Sequence, residues 1–458
     1  MHKRTAATFA SMLIAAGLLS TGSLPVSAET LESALARAYT SSPIINSQRA
    51  FLRGTDEGVN VALSGYRPRV SATASAAQVW TQTRVPGLPT TTDTTNPVSV
   101  GVQLNQTLYD GGRTASAVRG AESNVFAGRE NLEAQVQSVL FEAARAYMDV
   151  LRDTAILNLQ RSNIDVLGEQ LRQTRDRFDV GEVTRTDVAQ AEAREAAARA
   201  QVNVAEGNLR ASIAIYRQVV GTEPRQLAPG RVPQRLVPGS VEQAIQIALS
   251  ENPAIAAAMH ALDVAQAEVR VAEGALLPTV GLQAGLSHSA TGGRSTTDAR
   301  VTAQLNVPIY QAGEEFARIR QLKHIAAQRR FQIDIERERV RAAVIASWGQ
   351  FDAATAQIAA AQAQVAAAET ALSGVREEAR VGQRTTLDVL NAQQELLVAR
   401  VNLITAQRDR VVAGFSVIQA MGRLTPTRLA LATQLYDPSV HFDQVRGLWF
   451  GTQTPTGD

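Results

Sequence analysis

The sequence predicts an α+β membrane protein in which short strands cross a bilayer, very long helical hairpins stand outside it, and one layout is written twice along the chain. Three observations predict it. Blocks of residues recur at constant offsets, two proline-free stretches exceed the needs of any compact domain, and strand-like alternation appears in a chain without a long apolar segment.

The first element is a leader. Lys3 and Arg4 precede an apolar run over residues 6–19, and Leu24-Pro25-Val26-Ser27-Ala28 ends in a small residue, so residues 1–28 read as a secretory signal peptide cut before Glu29. The run is too short to anchor in a bilayer. Residues 1–28 hold two bases and no acid, so the formal net charge of +2 falls to zero without them, and a basic surface for nucleic acid is unsupported. The chain has no cysteine, which removes disulfides and any cysteine-borne lipid anchor. No stretch after residue 28 approaches the roughly 20 apolar residues of a membrane helix. Any crossing falls to strands.

Each half then reads as helix, two strands, very long helix, short turn and helix. Leu31-Glu32-Ser33-Ala34-Leu35 and Pro43 recur as Val241-Glu242-Gln243-Ala244-Ile245 and Pro253, while Val61-Ala62, Pro68 and Val70 recur as Val271-Ala272, Pro278 and Val280. At a slightly smaller offset, Gln103-Leu104-Asn105, Tyr109 and Gly112 match Gln304-Leu305-Asn306, Tyr310 and Gly313, and Gly221 matches Gly422. The difference falls between Trp80 and Pro97, where Val85-Pro86-Gly87-Leu88-Pro89-Thr90 marks a hairpin tip that tolerates insertion.

The first repeat divides into helices over 29–65, a β-hairpin over 66–111, a long helical hairpin over 112–221 with its tip near 181, and a connecting segment over 222–252. The second supplies a helix over 253–277, a β-hairpin over 278–312, a helical hairpin over 313–422 with its tip near 382, and a C-terminal segment over 423–458.

The strands rest on alternation. Val301, Ala303, Leu305, Val307 and Ile309 occupy every second position among Thr302, Gln304 and Asn306, and Val100-x-Val102-x-Leu104 does the same in the first half. Val280, Leu282, Ala284 and Leu286 continue the pattern, and Val70, Ala72, Ala74 and Ala76 repeat it more weakly. Each run has about ten residues, the length of a tilted membrane strand. Tyr109 and Tyr310 end equivalent strands, where an interfacial aromatic belt puts them.

The helices rest on proline spacing. None occurs between Pro97 and Pro224 or between Pro308 and Pro426, and residues 113–180 and 314–381 are rich in strong helix formers. A continuous helix over either stretch would be roughly 100 Å long at about 1.5 Å per residue. Alanine runs such as Ala196-Ala197-Ala198 and Ala366-Ala367-Ala368 suit close helix packing.

Four strands cannot close a barrel, and an open edge in lipid leaves peptide groups unpaired at several kcal/mol each. Sister chains must complete the ring. Barrels begin at about eight strands, so two, three or more copies satisfy the geometry.

The doubled layout, the strand ending Gln-Leu-Asn-x-x-Leu/Ile-Tyr with a following Gly, and the pattern Val-Gly-x-x-Thr-x-x-Asp-Val at 180–188 and 381–389 resemble the TolC family of outer-membrane efflux and secretion channels. The resemblance covers essentially the whole chain after residue 28. It implies a homotrimer with a twelve-stranded barrel in the outer membrane of a Gram-negative bacterium, a helical tunnel projecting into the periplasm and closed at its far end, and an equatorial collar from 222–252 and 423–458. The implied partners are a periplasmic adaptor (membrane fusion protein) and an inner-membrane transporter of RND, ABC or MFS type. The implied function is a passive exit duct for drugs, toxins or proteins in tripartite efflux or type I secretion, with no cofactor.

Gly181 and Gly382 fall where each long helix must turn back, and a glycine there tolerates positive φ. Thr184 with Asp187, and Thr385 with Asp388, have capping-box spacing at the start of the returning helix. Capping alone accounts for Asp187. By resemblance, Val180, Gly181, Thr184, Val381, Gly382 and Thr385 meet the adaptor, Thr186, Asp187 and Arg384 bond neighbouring helix pairs shut, and Asp388 and Asn391 line the constriction. Two positions depart from the family pattern, which has a second aspartate at Asn391 and a tyrosine at Ala379. The ring then carries less charge and lacks one closing hydrogen bond, worth about 1 kcal/mol per protomer.

No catalytic constellation competes. His2, His260, His288, His324 and His441 are scattered without ligand spacing, and there is no phosphate-binding glycine loop and no nucleophile elbow. A structural coiled-coil spacer of the periplasm or cell surface is the alternative. Alanine-rich helices suit it, but it has no use for the alternating strands.

Overall fold

The structure, a computed structural model, describes residues 28–455. The predicted leader lies outside the described residues apart from Ala28. The first half opens with α1 (Leu31–Ser41), whose N-cap Thr30 accepts a hydrogen bond from the Ser33 amide, and α2 (Pro43–Leu63). The break comes from Pro43, which disfavours helical backbone at Ser42 and leaves it extended at ψ 120°.

β1 (Arg69–Ala76), β2 (Val79–Thr83), β3 (Thr91–Thr95) and β4 (Val98–Tyr109) follow. β1 pairs with β4 from Arg69↔Asn105 to Ala76↔Val98, and β2 with β3 from Val79↔Thr95 to Thr83↔Thr91, so the second ribbon continues the first hairpin in step. Pro97 sits at the interruption between them, where it has no N–H to give a ladder. The length difference between the two halves is therefore divided between extra strand and the seven-residue connection 84–90, where the second half has only Gly292 and Gly293. α3 (Arg113–Asp179) and α4 (Arg185–Val220) form the first helical hairpin, of 67 and 36 residues.

The second half supplies α5 (Val241–Glu251), α6 (Pro253–Gly274), β5 (Thr279–Thr291), β6 (Arg294–Asn306), α7 (Glu314–Arg380) and α8 (Thr386–Ala420). Gly292 and Gly293, at φ 56° and 83°, join β5 to β6 in a two-residue turn whose positive φ values match the twist of the strands. α9 (Pro426–Leu429) and α10 (Pro438–Val445) end the chain.

One expectation is corrected here. The alternation through Val307 and Ile309 suggested a strand ending at Tyr310, but β6 stops at Asn306 because Pro308 cannot donate to a ladder. Tyr310 lies beyond the strand, whereas Tyr109 is the last residue of β4.

The main sheet has the order β1-β4-β5-β6 and two open edges, β1 and β6. Along the hairpins, small residues are buried at heptad intervals: Ala191, Ala198, Ala205 and Ser212 on α4, and Val340, Ser347, Ala354 and Ala361 on α7. A seven-residue repeat of small side chains lets backbones approach closely and supercoil to the left. The largest core lies at the waist, where Tyr147, Tyr216, Phe415 and Met421 are fully buried among α1, α3, α4 and α8. Each such side chain contributes about 1.5–3 kcal/mol by leaving water. Glu29, first after the predicted cut, is buried there, accepting from the Tyr216 hydroxyl and pairing with Arg37, while its carbonyl accepts from Tyr147 at 2.7 Å.

Candidate functional site

The sheet is two-faced. Directly paired residues share a face, so the rows Val70–Leu104–Ala284–Val301 and Ala72–Val102–Leu286–Ala299 form one apolar surface. The opposite face carries Arg69–Asn105–Gln283–Thr302 and Ser71–Gln103–Gly285–Arg300. His288 interrupts the apolar side, with its Nδ1 2.8 Å from Thr297 Oγ1.

Tyr109 reaches the apolar face through an irregularity. Strict alternation from Gln103, Asn105 and Thr107 would aim it at the polar side, but the register shifts between Thr107 and Tyr109 and pairs Tyr109 with Val280. Leu108 is the extra residue of this bulge, which re-aims the ring. At the other end Trp80, paired with Thr94, falls on the apolar side of the β2–β3 ribbon. Trp80 and Tyr109 are roughly 45 Å apart along the strands at about 3.3 Å per residue, a rise of about 35 Å at the usual tilt near 40°. That rise is comparable to the thickness of a bilayer. Sequence reasoning passed over Trp80, because its face is set only by pairing.

At the opposite end of the molecule the two tips are built alike. Gly181 (φ 80°) follows Val180, and Gly382 (φ 79°) follows Val381. A left-handed residue satisfies the last helical carbonyls, with the Glu182 amide reaching Arg177 O at 2.9 Å and the Gln383 amide reaching Glu378 O at 2.9 Å. Val180 and Val381 are 72% and 67% exposed, large for apolar side chains. Both returning helices start in full capping boxes: the Thr184 amide and hydroxyl donate to Asp187 at 2.9 and 2.7 Å, and those of Thr385 to Asp388 at 2.9 and 2.8 Å.

The structure brings each threonine to its aspartate but does not join Asp187 to Arg384 within one chain. Arg384 Nε instead donates to Glu378 Oε2 at 2.8 Å across its own turn, as Arg177 does to Glu182 at 2.9 Å in the first tip. Asn391 accepts from Arg194 Nη2 at 2.9 Å, a bond between the two hairpins. Thr186 is exposed, and Ala379 packs with Leu372, Val389 and Leu396. Arg194 and Glu378 were missed by sequence reasoning. Glu378 had a findable signal in its local spacing to Arg384, whereas Arg194 had none.

The capping bonds from Thr385, aided by the nearby Arg384 guanidinium, hold the Asp388 carboxyl below its ordinary value of 3.8. A carboxylate with a depressed pKa contributes stability that is present above the unfolded value and lost as pH falls through the folded one. Amide protection at Thr385–Asp388, corrected for intrinsic exchange, is therefore expected to hold from neutrality to about pH 5 and to fall away below about pH 4.

Among the described residues, no group of three His, Cys, Asp or Glu side chains could hold a metal ion, and no helix is long and apolar enough to cross a membrane. Comparison with known proteins then identifies the company this chain keeps. The model of a family described as outer membrane efflux protein matches residues 34–222 and 244–423. The chain is 41% identical to the outer membrane efflux protein BepC of Brucella suis, covering 98% of this chain and 97% of that one. It is 27% identical to the outer membrane protein TolC of Vibrio cholerae, over 90% and 95% of the two chains. Among solved structures, the CmeC outer membrane channel of Campylobacter jejuni superposes with a TM-score of 0.77 at 18% identity, covering 91% of this chain and 89% of that one.

Proposed function

Because this chain belongs to the outer membrane efflux protein family, we propose that it is the outer-membrane exit duct of a tripartite efflux or type I secretion assembly. One observation carries the mechanism: a four-stranded sheet with an apolar face, a polar face and two unpaired edges. Such a sheet is tolerated in lipid only when its edges are closed by further copies. Three copies joined β6 to β1 give twelve strands, with the apolar rows against the bilayer and the polar rows around a water-filled lumen.

The helical hairpins continue that lumen through the periplasm to the tips. There the exposed Val180 and Val381, with Gly181, Thr184, Gly382 and Thr385, offer a surface to a periplasmic adaptor, which in turn engages an inner-membrane transporter. The duct consumes no energy itself. Asp187 and Thr186 of one hairpin and Arg384 of the next hold the tips together across the ring, and Asp388 and Asn391 narrow the mouth. Opening is a shift between two packings of the hairpins, biased by the partners.

Imaging of the detergent-purified particle tests the assembly: threefold symmetry with a membrane-sized collar of strands at one end is expected, and a lone water-soluble rod would sink it. For the gate, Arg384→Ala and Asp187→Ala are each expected to raise single-channel conductance severalfold in planar bilayers and to sensitise cells to large antibiotics. Unchanged conductance in both removes these residues from the gate while leaving the duct in place.

A further inference from the structure

We propose that the exposed C-terminal residues Leu448, Trp449 and Phe450 rest on the periplasmic leaflet of the bilayer, giving each chain a lipid contact outside its sheet. The inference depends on the reading that the sheet spans the membrane. It begins with the path of the tail. α10 is clipped to the middle of α2 by His441 Nδ1 and Asp56 Oδ2 at 2.8 Å, and the chain then climbs α2, with Asn60 Nδ2 donating to Val445 O at 2.7 Å and the Gly447 amide donating to Asn60 Oδ1 at 3.0 Å. Arg67 ends the climb. Its Nη1 donates to Leu448 O at 2.6 Å, and its guanidinium stands 5.0 Å from the centre of the Trp449 ring.

Arg67 lies just before Arg69, the first residue of β1, and Gln106 of β4 donates to the carbonyl of its neighbour Tyr66 at 2.9 Å. Trp449 is thus held at the foot of the sheet, near the level of Tyr109. The side is set by helical phase. Ala62 lines the recess at the foot of the sheet together with Arg67, Arg69, Asn105 and Gln283, while Asn60 holds the climbing tail through Val445 and Gly447. At about 100° per residue Asn60 and Ala62 stand roughly 160° apart around α2, so the tail climbs as far as Gly447 on the side of α2 away from the recess, and Arg67 reaches from the edge of the recess to meet Trp449.

There Trp449 and Phe450 are 63% and 93% exposed, beside Tyr66, itself half exposed. Large aromatic groups backed by an arginine suit a headgroup boundary, where the rings meet acyl chains and the guanidinium meets phosphate. The patch is continuous in height with the apolar face of the sheet, which is why a lipid surface fits it better than a second copy of this chain.

The test uses the full chain with Trp80→Phe and Trp348→Phe, which leaves Trp449 as the sole emitter, reconstituted into phosphatidylethanolamine–phosphatidylglycerol vesicles with or without brominated acyl chains. Insertion is scored separately by heat-modifiable migration. The expected result is a blue-shifted Trp449 emission that brominated lipid quenches. Inserted protein whose Trp449 is equally bright in both vesicles overturns the proposal and leaves the duct standing, and an emission already blue-shifted in detergent without lipid quenching assigns the patch to a second copy. Failure to insert at all sinks both. Should Trp348→Phe not fold, the difference between the unmodified protein and Trp449→Leu gives the same readout, because Trp449 is exposed and its loss leaves the core untouched.

Discussion

Val102→Arg is expected to abolish the membrane-inserted form, whereas Gln103→Arg, one position along the same strand, is expected to leave it intact. Val102 sits in the row Ala72–Val102–Leu286–Ala299, near the middle of the apolar face between Trp80 and Tyr109. An arginine on the lipid face of a barrel costs about 2–4 kcal/mol at the bilayer midplane, and three copies in one ring multiply that to roughly 6–12 kcal/mol. Gln103 belongs to the polar row with Ser71, Gly285 and Arg300, where a further guanidinium stays in water. The measurement is the fraction of heat-modifiable oligomer after folding into vesicles. Equal loss in both variants would mean that the two faces do not separate lipid from lumen, and a soluble coiled-coil reading would gain.

The contrast between these neighbours was legible in the sequence because alternation is a local property. So were the capping boxes at Thr184 and Thr385, which need only four consecutive residues. What escaped depended on pairing or on distance along the chain. The bulge at Leu108 that turns Tyr109 to the apolar side, and the register that carries Trp80 to that side, are set by partner strands and leave no trace in either strand alone. The Arg194–Asn391 bond joins residues from different hairpins. The truncation of β6 before Pro308 is a different case. The signal stood in the sequence, but the periodicity of Val307 and Ile309 outweighed it, although a missing N–H is the stronger physical constraint.

His441 had looked like one more isolated histidine, and its replacement carries the second large expectation: His441→Leu releases the C-terminal segment at neutral pH and lets it dock again in acid. The Asp56 carboxylate is fully buried, its Oδ1 has no hydrogen-bond partner, and burial pushes its pKa up against the opposing pull of His441 and, more weakly, Arg129 on α3. Glu57, on its own helix, pushes the same way as burial. With the imidazole gone, a buried charge is left without its partner, a loss of about 3–5 kcal/mol. Against that loss the eight-residue helix keeps buried Val445, the Arg446–Glu122 ion pair at 2.9 Å and the Asn60 bonds, which together must offset it for the segment to stay docked.

A raised carboxyl pKa gives stability that is complete below the unfolded value of 3.8 and lost as pH rises through the folded one, so protonation in mild acid restores docking in the variant. Deuterium uptake over residues 438–446, corrected for intrinsic rates, is expected to rise sharply near pH 7 and to return towards the unmodified protein as pH falls towards about 4. His441→Gln keeps a donor at the site and is expected to stay docked at both. Full protection of the tail at neutral pH in His441→Leu would show that contacts higher on the climb, from Asn60 and Arg67, hold the segment without the clip.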